Sequence, residues 1–137
     1  MPSYDVAVTS LAIDASLRWT DNVVTHHDIP GVSGSRRGVA RKVSHHALFT
    51  LAVVRQLHLT LGMSVGDAVR MAPLLLADPP RRVPDSGQLC VVLDRPALER
   101  EVERRLREAL ESAPAPRRGR PPGRTRGGTA PRPSRPV

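Results

Sequence analysis

Three polar side chains near the N-terminus have types and a spacing that suit the reading of DNA bases. Arg18, Asn22 and Thr25 recur at intervals of four and three residues, so a helix would present them on one face. In the major groove, asparagine can form a bidentate pair with adenine and arginine with guanine. The spacing therefore predicts a base-reading helix face, against the alternative of an ordinary solvated face.

A second cationic group follows in the stretch GVSGSRRGVARKV, residues 31–43. Its basic residues are Arg36, Arg37, Arg41 and Lys42. Turn glycines and alternating apolar positions predict two short strands, a β-hairpin or wing. No acid occurs between Asp28 and Asp67. We expect the hairpin to contact phosphates or a minor groove, although charged edges also keep hairpins from aggregating.

The C-terminal stretch is rich in arginine, proline and glycine. Seven arginines and no acid follow Ala113, which leaves 14 basic and 13 acidic residues in 1–113. Most of the net charge of +8 therefore belongs to the tail. Its prolines and glycines exclude a packed core, so we expect 114–137 to be disordered. A basic block beside a near-neutral domain indicates a polyanionic partner.

The sequence does not favour metal, cofactor or enzyme chemistry. His26–His27 and His45–His46 are adjacent pairs, and successive residues on a helix point about 100° apart, so each pair is a poor chelate. Cys90 is the single cysteine, which fits a reducing cytoplasm, and its apolar surroundings predict a buried side chain. No phosphate loop, nucleophile motif or recognisable pair of acids indicates catalysis.

Membrane attachment and secretion are not expected. The tail has no leucine or aromatic side chain to insert into lipid, and no apolar run approaches the ~20 residues of a spanning helix. The N-terminal stretch MPSYDVAVTS lacks the charged and apolar segments of a signal peptide. We expect a cytoplasmic, nucleoid-associated protein.

The elements that must position these groups are mainly helical. Apolar side chains recur at helical spacing in five segments, which are residues 5–14, 17–28, 45–61, 64–76 and 97–112. Ser16, Ser44 and Ser64 are the expected N-caps of three of these helices, and Gly62 is an expected C-cap. Pro73 is expected to kink or end the fourth helix near the preceding residue.

A short strand is expected over QLCVVL, residues 88–93, because this run is apolar on both faces. A single strand needs a partner, which could be the hairpin, the N-terminal segment or its own copy in a second subunit. The last helix carries one narrow apolar stripe, formed by Leu98, Val102, Leu106 and Leu110. Both features favour residues 88–112 as the contact of a homodimer.

The order helix, turn, helix, basic hairpin, helix, helix resembles the MerR-type winged helix-turn-helix. The likeness covers about residues 6–76 and is carried by VARKVSHHALFTLAVVRQLHLTLGMSVGDAVRMAPLLL. It implies a mainly α fold whose second helix docks in the major groove. The chain keeps only LRW where the family has an aromatic pair after the arginine of the recognition helix. It also lacks the long coiled-coil helix and the effector-binding cysteines, so metal or drug sensing is not implied.

The tail contains a short stretch, Arg118-Gly119-Arg120-Pro121, that is similar to the core of an AT-hook. That motif lays an extended backbone in the narrow minor groove of A·T-rich DNA. The residue types suit this role, because glycine permits close approach, arginine enters a strongly negative groove, and proline keeps the segment extended.

These observations divide the chain into five parts. They are an N-terminal arm (1–5), a winged helix-turn-helix domain (6–76), a Pro-rich linker (77–87), a strand plus amphipathic helix (88–113) and a disordered basic tail (114–137). We expect a non-enzymatic protein that binds double-stranded DNA as a transcriptional regulator. Two alternatives stay open: an excisionase-like or nucleoid-associated factor that bends DNA, and a module that binds RNA or an acidic protein.

Overall fold

The computed structural model describes residues 2–34, 38–77 and 90–112. These residues form five helices and a small antiparallel sheet, which confirms the expectation of a mainly α protein. The elements, in chain order, are β1 (Ser3–Asp5), α1 (Val6–Ala12), α2 (Leu17–His26), β2 (Val32–Ser33), β3 (Lys42–Ser44), α3 (His45–Leu61), α4 (Val65–Leu76) and α5 (Arg95–Ser112).

Short polar side chains begin the helices. The hydroxyls of Ser16, Ser44 and Ser64 each accept a hydrogen bond from the backbone N–H three residues ahead, which confirms the three expected caps. Asp5 caps α1 in the same way through its carboxylate. Gly62 ends α3 in the left-handed conformation, with φ of 65°. These caps keep the α1–α2 and α3–α4 connections short.

The central strand of the sheet is β3, with β1 on one side and β2 on the other. Val32 of β2 lies opposite Val43, which confirms the predicted hairpin. Tyr4 of β1 lies opposite Val43 from the other side. Residues of the expected N-terminal arm thus form an edge strand. Three residues are too few to show a periodic pattern, and their partner lies far along the chain.

The core surrounds α3 and is built from small aliphatic side chains. Leu48 and Leu51 of α3 are fully buried, as is Val43 of the sheet, in one cluster that includes α1 and α5. A second cluster lies between α3 and α4 and includes Val54 and Ala72. Because α3 contributes to both clusters, its rotation determines where the other helices lie.

Of the two outcomes expected at Pro73, a kink or an end of the helix, the structure rules out the end. The helix continues through Pro73 to Leu76. A proline removes one backbone hydrogen bond, but here it lies in an exposed position with only three helical residues after it. The missing hydrogen bond therefore costs the last turn little stability, and Leu75 of this turn is still buried.

The strand expected over 88–93 is not formed in its described part. Residues 90–93 contain only an isolated bridge at Val91, and Cys90, which we expected to be buried, is exposed. Val91 and Leu93 instead pack against the cluster between α3 and α4. An apolar run this short can bury its side chains as an irregular segment leading into α5, without forming a ladder.

The last helix packs on α1 of the same chain and on α3. Val102 and Leu106 are buried as expected, but Ala109 is buried in place of Leu110, whose side chain is 53% exposed. A stripe with a four-residue repeat drifts about 40° per step around a helix of 3.6 residues per turn, so its last member leaves the contact. Val102 and Leu106 of the apolar stripe are therefore covered within the chain, while Leu110 stays exposed.

Candidate nucleic-acid interface

One polar face of α2 is open to solvent. Arg18, Asn22 and Thr25 are all exposed there, while Val23 and Val24 are buried on the opposite side. Burial of the two valines determines the rotation of α2, so the three side chains that we expected to read bases share one surface. The three side chains therefore lie on one exposed face of α2, as their spacing predicted.

Two cations of the hairpin lie within the described residues, and one of them, Arg41, lies close to the end of α2. Arg41 is half-buried just before β3, and Lys42 is exposed within it. Lys42 is also the single lysine of the chain. The other two predicted hairpin contacts, Arg36 and Arg37, lie outside the described residues.

A surface groove of about 290 Å³ lies between the end of α2 and the hairpin. Thr25 and Arg41 both line it, so one residue from each predicted contact surface meets the other there. His26, His27 and Ser33 add imidazole and hydroxyl groups to the lining. The groove thus combines a guanidinium with imidazole and hydroxyl groups, which can hydrogen-bond to a phosphate or a base edge.

Two carboxylates limit how closely a phosphate can approach this surface. Asp21 is exposed beside Asn22 on α2, and Asp28 lines the groove. Like charges repel, so a phosphate at this surface would be favoured beside a guanidinium and disfavoured beside either carboxylate. The centre of the face is better suited to base edges, which offer both donors and acceptors.

The base of the hairpin is held by the backbone. The N–H of Val32 donates to the carbonyl of Ile29 at 3.2 Å, and the N–H of Ser44 donates to that of Gly31 at 2.9 Å. Ile29 is itself buried in the main cluster. The hairpin therefore begins and ends on the core, which gives Arg41 and Lys42 a defined position relative to α2.

Sequence reasoning missed one arginine, Arg55 of α3. The guanidinium carbon of Arg55 lies 4.9 Å from the centroid of the Trp19 ring on α2. Trp19 is half-buried, as its position at the edge of the exposed face predicts. The single sequence signal for this contact is an arginine within the otherwise apolar run ALFTLAVVRQL. Its partner could not be inferred, since the two residues lie on different helices.

A larger cavity of about 420 Å³ lies between α3, α5 and the segment before α5. Its wall is mainly aliphatic, and Glu101 and Arg105 line it as an ion pair with 3.0 Å between Oε1 and Nε. A hydrogen bond from Arg104 holds the pKa of Glu101 below its ordinary value. A carboxylate stabilised in its ionised form by arginines serves as a structural ion pair and is poorly suited to proton transfer at neutral pH.

The tail and most of the linker at 77–87 lie outside the described residues, and so do Arg118, Gly119, Arg120 and Pro121. Within residues 2–34, 38–77 and 90–112, no helix has the length and apolar character needed to cross a membrane. The same ranges hold no group of three or more histidine, cysteine or acidic side chains arranged for a metal ion. Comparison of the chain with protein-family models, curated proteins and solved structures found no match.

Proposed function

We propose that the protein binds double-stranded DNA and regulates transcription through a winged helix-turn-helix. In this proposal α2 enters the major groove and the hairpin contacts the neighbouring backbone. The observation that carries it is the groove in which Thr25 of α2 and Arg41 of the hairpin meet. A base-reading helix face beside a cationic hairpin matches a duplex, in which base edges are flanked by phosphates.

The distribution of charge supports a duplex partner. Residues between Asp28 and Asp67 include five basic side chains and no acid, and the tail adds seven arginines. In our proposal the RGRP stretch, Arg118 to Pro121, enters a neighbouring minor groove. Two weak contacts on one chain raise the effective local concentration of each, so the tail strengthens binding without a new folded element.

Titration of duplexes at several salt concentrations tests the proposal. Arg18→Ala should weaken binding and lower the slope of log K against log salt, by about 0.9 if it contacts a phosphate. Asn22→Ala should change the preference among duplex sequences instead. Arg107→Ala removes an exposed arginine on α5 and is the matched control, which should leave both quantities unchanged.

The single lysine permits an independent measurement. Acetylation by an amine-reactive reagent modifies Lys42 and the α-amino group, and mass spectrometry separates the two products. Bound duplex should protect Lys42 from acetylation, while the α-amino group provides the internal comparison. Protection by single-stranded RNA in preference to duplex would contradict the proposal and favour the RNA-binding module.

A DNA-bending assay, compared with a promoter-reporter assay, distinguishes a transcriptional regulator from an architectural factor.

A further inference from the structure

Arg55 is a cation within the most buried helix of the protein. Its neighbours Val54 and Leu57 are buried, whereas Arg55 is half-buried. Its Nε is fully buried and has no hydrogen-bond partner among the residues that the structure describes. A ligand outside the protein cannot reach this buried nitrogen, so only the two terminal nitrogens of the half-buried side chain are open to an outside partner.

Four other arginines of the described structure have carboxylate partners, namely Arg70, Arg95, Arg104 and Arg105. The described residues Arg18, Arg41, Arg100 and Arg107 have none there. Arg55 forms no such pair within the described ranges. Its one close partner there is the Trp19 ring, which attracts a cation through the electrons of its face but accepts no conventional hydrogen bond. The guanidinium is therefore positioned without being neutralised.

The stack on Trp19 holds the guanidinium in one orientation. The ring of His58 lies on the same side of α3, with its centroid 6.1 Å from that of Trp19. The Nδ1 of His58 donates to the carbonyl of Met63 at 2.8 Å, which holds the imidazole in place. A guanidinium held at a ring by a cation–π contact can still donate through its two terminal nitrogens, a geometry that suits the oxygens of a phosphate.

This stack lies next to the face of α2 that carries the proposed base contacts. Trp19 directly follows Arg18 and precedes Asn22 by three residues, so it borders the exposed face. The groove with Arg41 lies at the other end of α2. A helix in the major groove has a phosphate backbone along each side, and cations at both ends of α2 would reach the two backbones.

We propose that Arg55 donates to a backbone phosphate of the bound duplex. The inference rests on the proposed function and adds a phosphate site that neither the hairpin nor the tail supplies. Trp19 acts as a positioning residue, because it orients the guanidinium and does not itself touch the phosphate.

The test compares two variants with a matched control. Arg55→Gln should lower the salt slope by about 0.9 and weaken binding to all duplex sequences equally, since phosphate contacts carry no sequence information. Arg55→Lys keeps the positive charge, so its salt slope should equal that of the native protein. Arg70→Gln removes an exposed arginine that is paired with Asp67, and it should change neither quantity. Melting temperatures of all variants are measured in parallel.

The single tryptophan reports on the same site directly. A phosphate bound at Arg55 alters the cation on the face of Trp19, so saturating duplex should change the Trp19 emission of the native protein and change it less in Arg55→Gln. If Arg55→Gln does not fold, the Arg55→Lys variant tests the inference instead. Loss of the planar guanidinium should weaken duplex binding several-fold, while the slope of log K against log salt stays unchanged.

Several outcomes would overturn the inference while leaving duplex binding in place. They are an unchanged slope in Arg55→Gln, unchanged affinity in Arg55→Lys, or Trp19 emission that does not respond to saturating duplex. A lowered melting temperature at an unchanged slope would mean that the partner of Arg55 lies within the chain. Failure of the native protein to bind any duplex at low salt would instead overturn the proposed function, and this inference with it.

Discussion

The backbone N–H of Ser44 donates to the carbonyl of Gly31 at 2.9 Å, where the hairpin returns to the core. Ser44 is also the N-cap of α3, because its hydroxyl accepts from the N–H of Ala47. One residue thus closes the hairpin and starts the central helix. The position of the cationic hairpin is therefore coupled to the packing of α3.

Gly31→Ala should disrupt this junction. Gly31 has φ of 93°, and a Cβ there would collide with the Ser44 hydroxyl and lie 3.2 Å from the Ala47 Cβ. We expect the free energy of unfolding to fall by about 1–3 kcal/mol or more from backbone strain and collision together, measured by denaturant titration. Gly38→Ala is the matched control, since Gly38 has φ of 85° and, apart from its chain neighbours, no atom of the described residues lies within 4 Å of a Cβ placed there. If the free energy of unfolding fell equally in both variants, the collision with Ser44 and Ala47 would contribute nothing to the loss.

Glu101 should make stability depend on pH in the acid range. The hydrogen bond from Arg104 holds the pKa of Glu101 below its ordinary value of 4.5. A lowered pKa in the folded state stabilises the protein above the ordinary value, and this contribution is lost as the pH falls through the lowered pKa. Glu101→Gln should therefore lower the melting temperature at pH 7 and lower it less at an acid pH below 4.5.

Glu103→Gln is the control for this measurement, because Glu103 forms no ion pair among the described residues and lies on the same helix. It should leave the melting temperature nearly unchanged at both pH values. A difference between the native protein and Glu101→Gln that persists undiminished at the acid end would contradict the assignment to charge.

Deletion of residues 114–137 should weaken binding to duplex DNA. Each phosphate contact that is lost should lower the slope of log K against log salt by about 0.9, as measured by titration at several salt concentrations. A variant with the same tail residues in scrambled order separates the effect of total charge from that of the RGRP stretch. An unchanged slope after deletion would show that the tail makes no contact with the duplex.

Arg120→Ala should discriminate between A·T-rich and G·C-rich duplexes. An arginine in a narrow minor groove meets a stronger negative potential, so the variant should lose about 1 kcal/mol more on the A·T-rich duplex. Arg132→Ala removes an arginine outside the RGRP stretch and is the comparison. Equal losses on the two duplexes would favour bulk charge over hook-like binding.

Local signals in the sequence predicted the helices well. The bounds of α3 follow from Ser44, the apolar repeat and Gly62, which lie within the helix or beside it and agree with one another. Features that depend on distant partners were missed. The strand β1 exists because β3 has an open edge, a relationship that no short window of sequence encodes.

The same division applies to the candidate site. The common face of Arg18, Asn22 and Thr25 could be predicted, because Val23 and Val24 mark the buried side of the same helix. The contact of Arg55 with Trp19 could not, since it depends on how α2 and α3 pack together. Exposure of Cys90 was missed because an apolar neighbourhood in sequence does not determine which way a single side chain points.

The packing of α1 against α5 has a consequence for synthesis on the ribosome. Val8 and Ala12 belong to the cluster that includes Val102 and Leu106, so the apolar side of α1 is covered in part by α5. At translation rates of about 5–20 residues per second, α1 emerges several seconds before α5. During that interval the nascent chain exposes the apolar side of α1. The apolar side of α1 is therefore fully buried only after α5 has been synthesised.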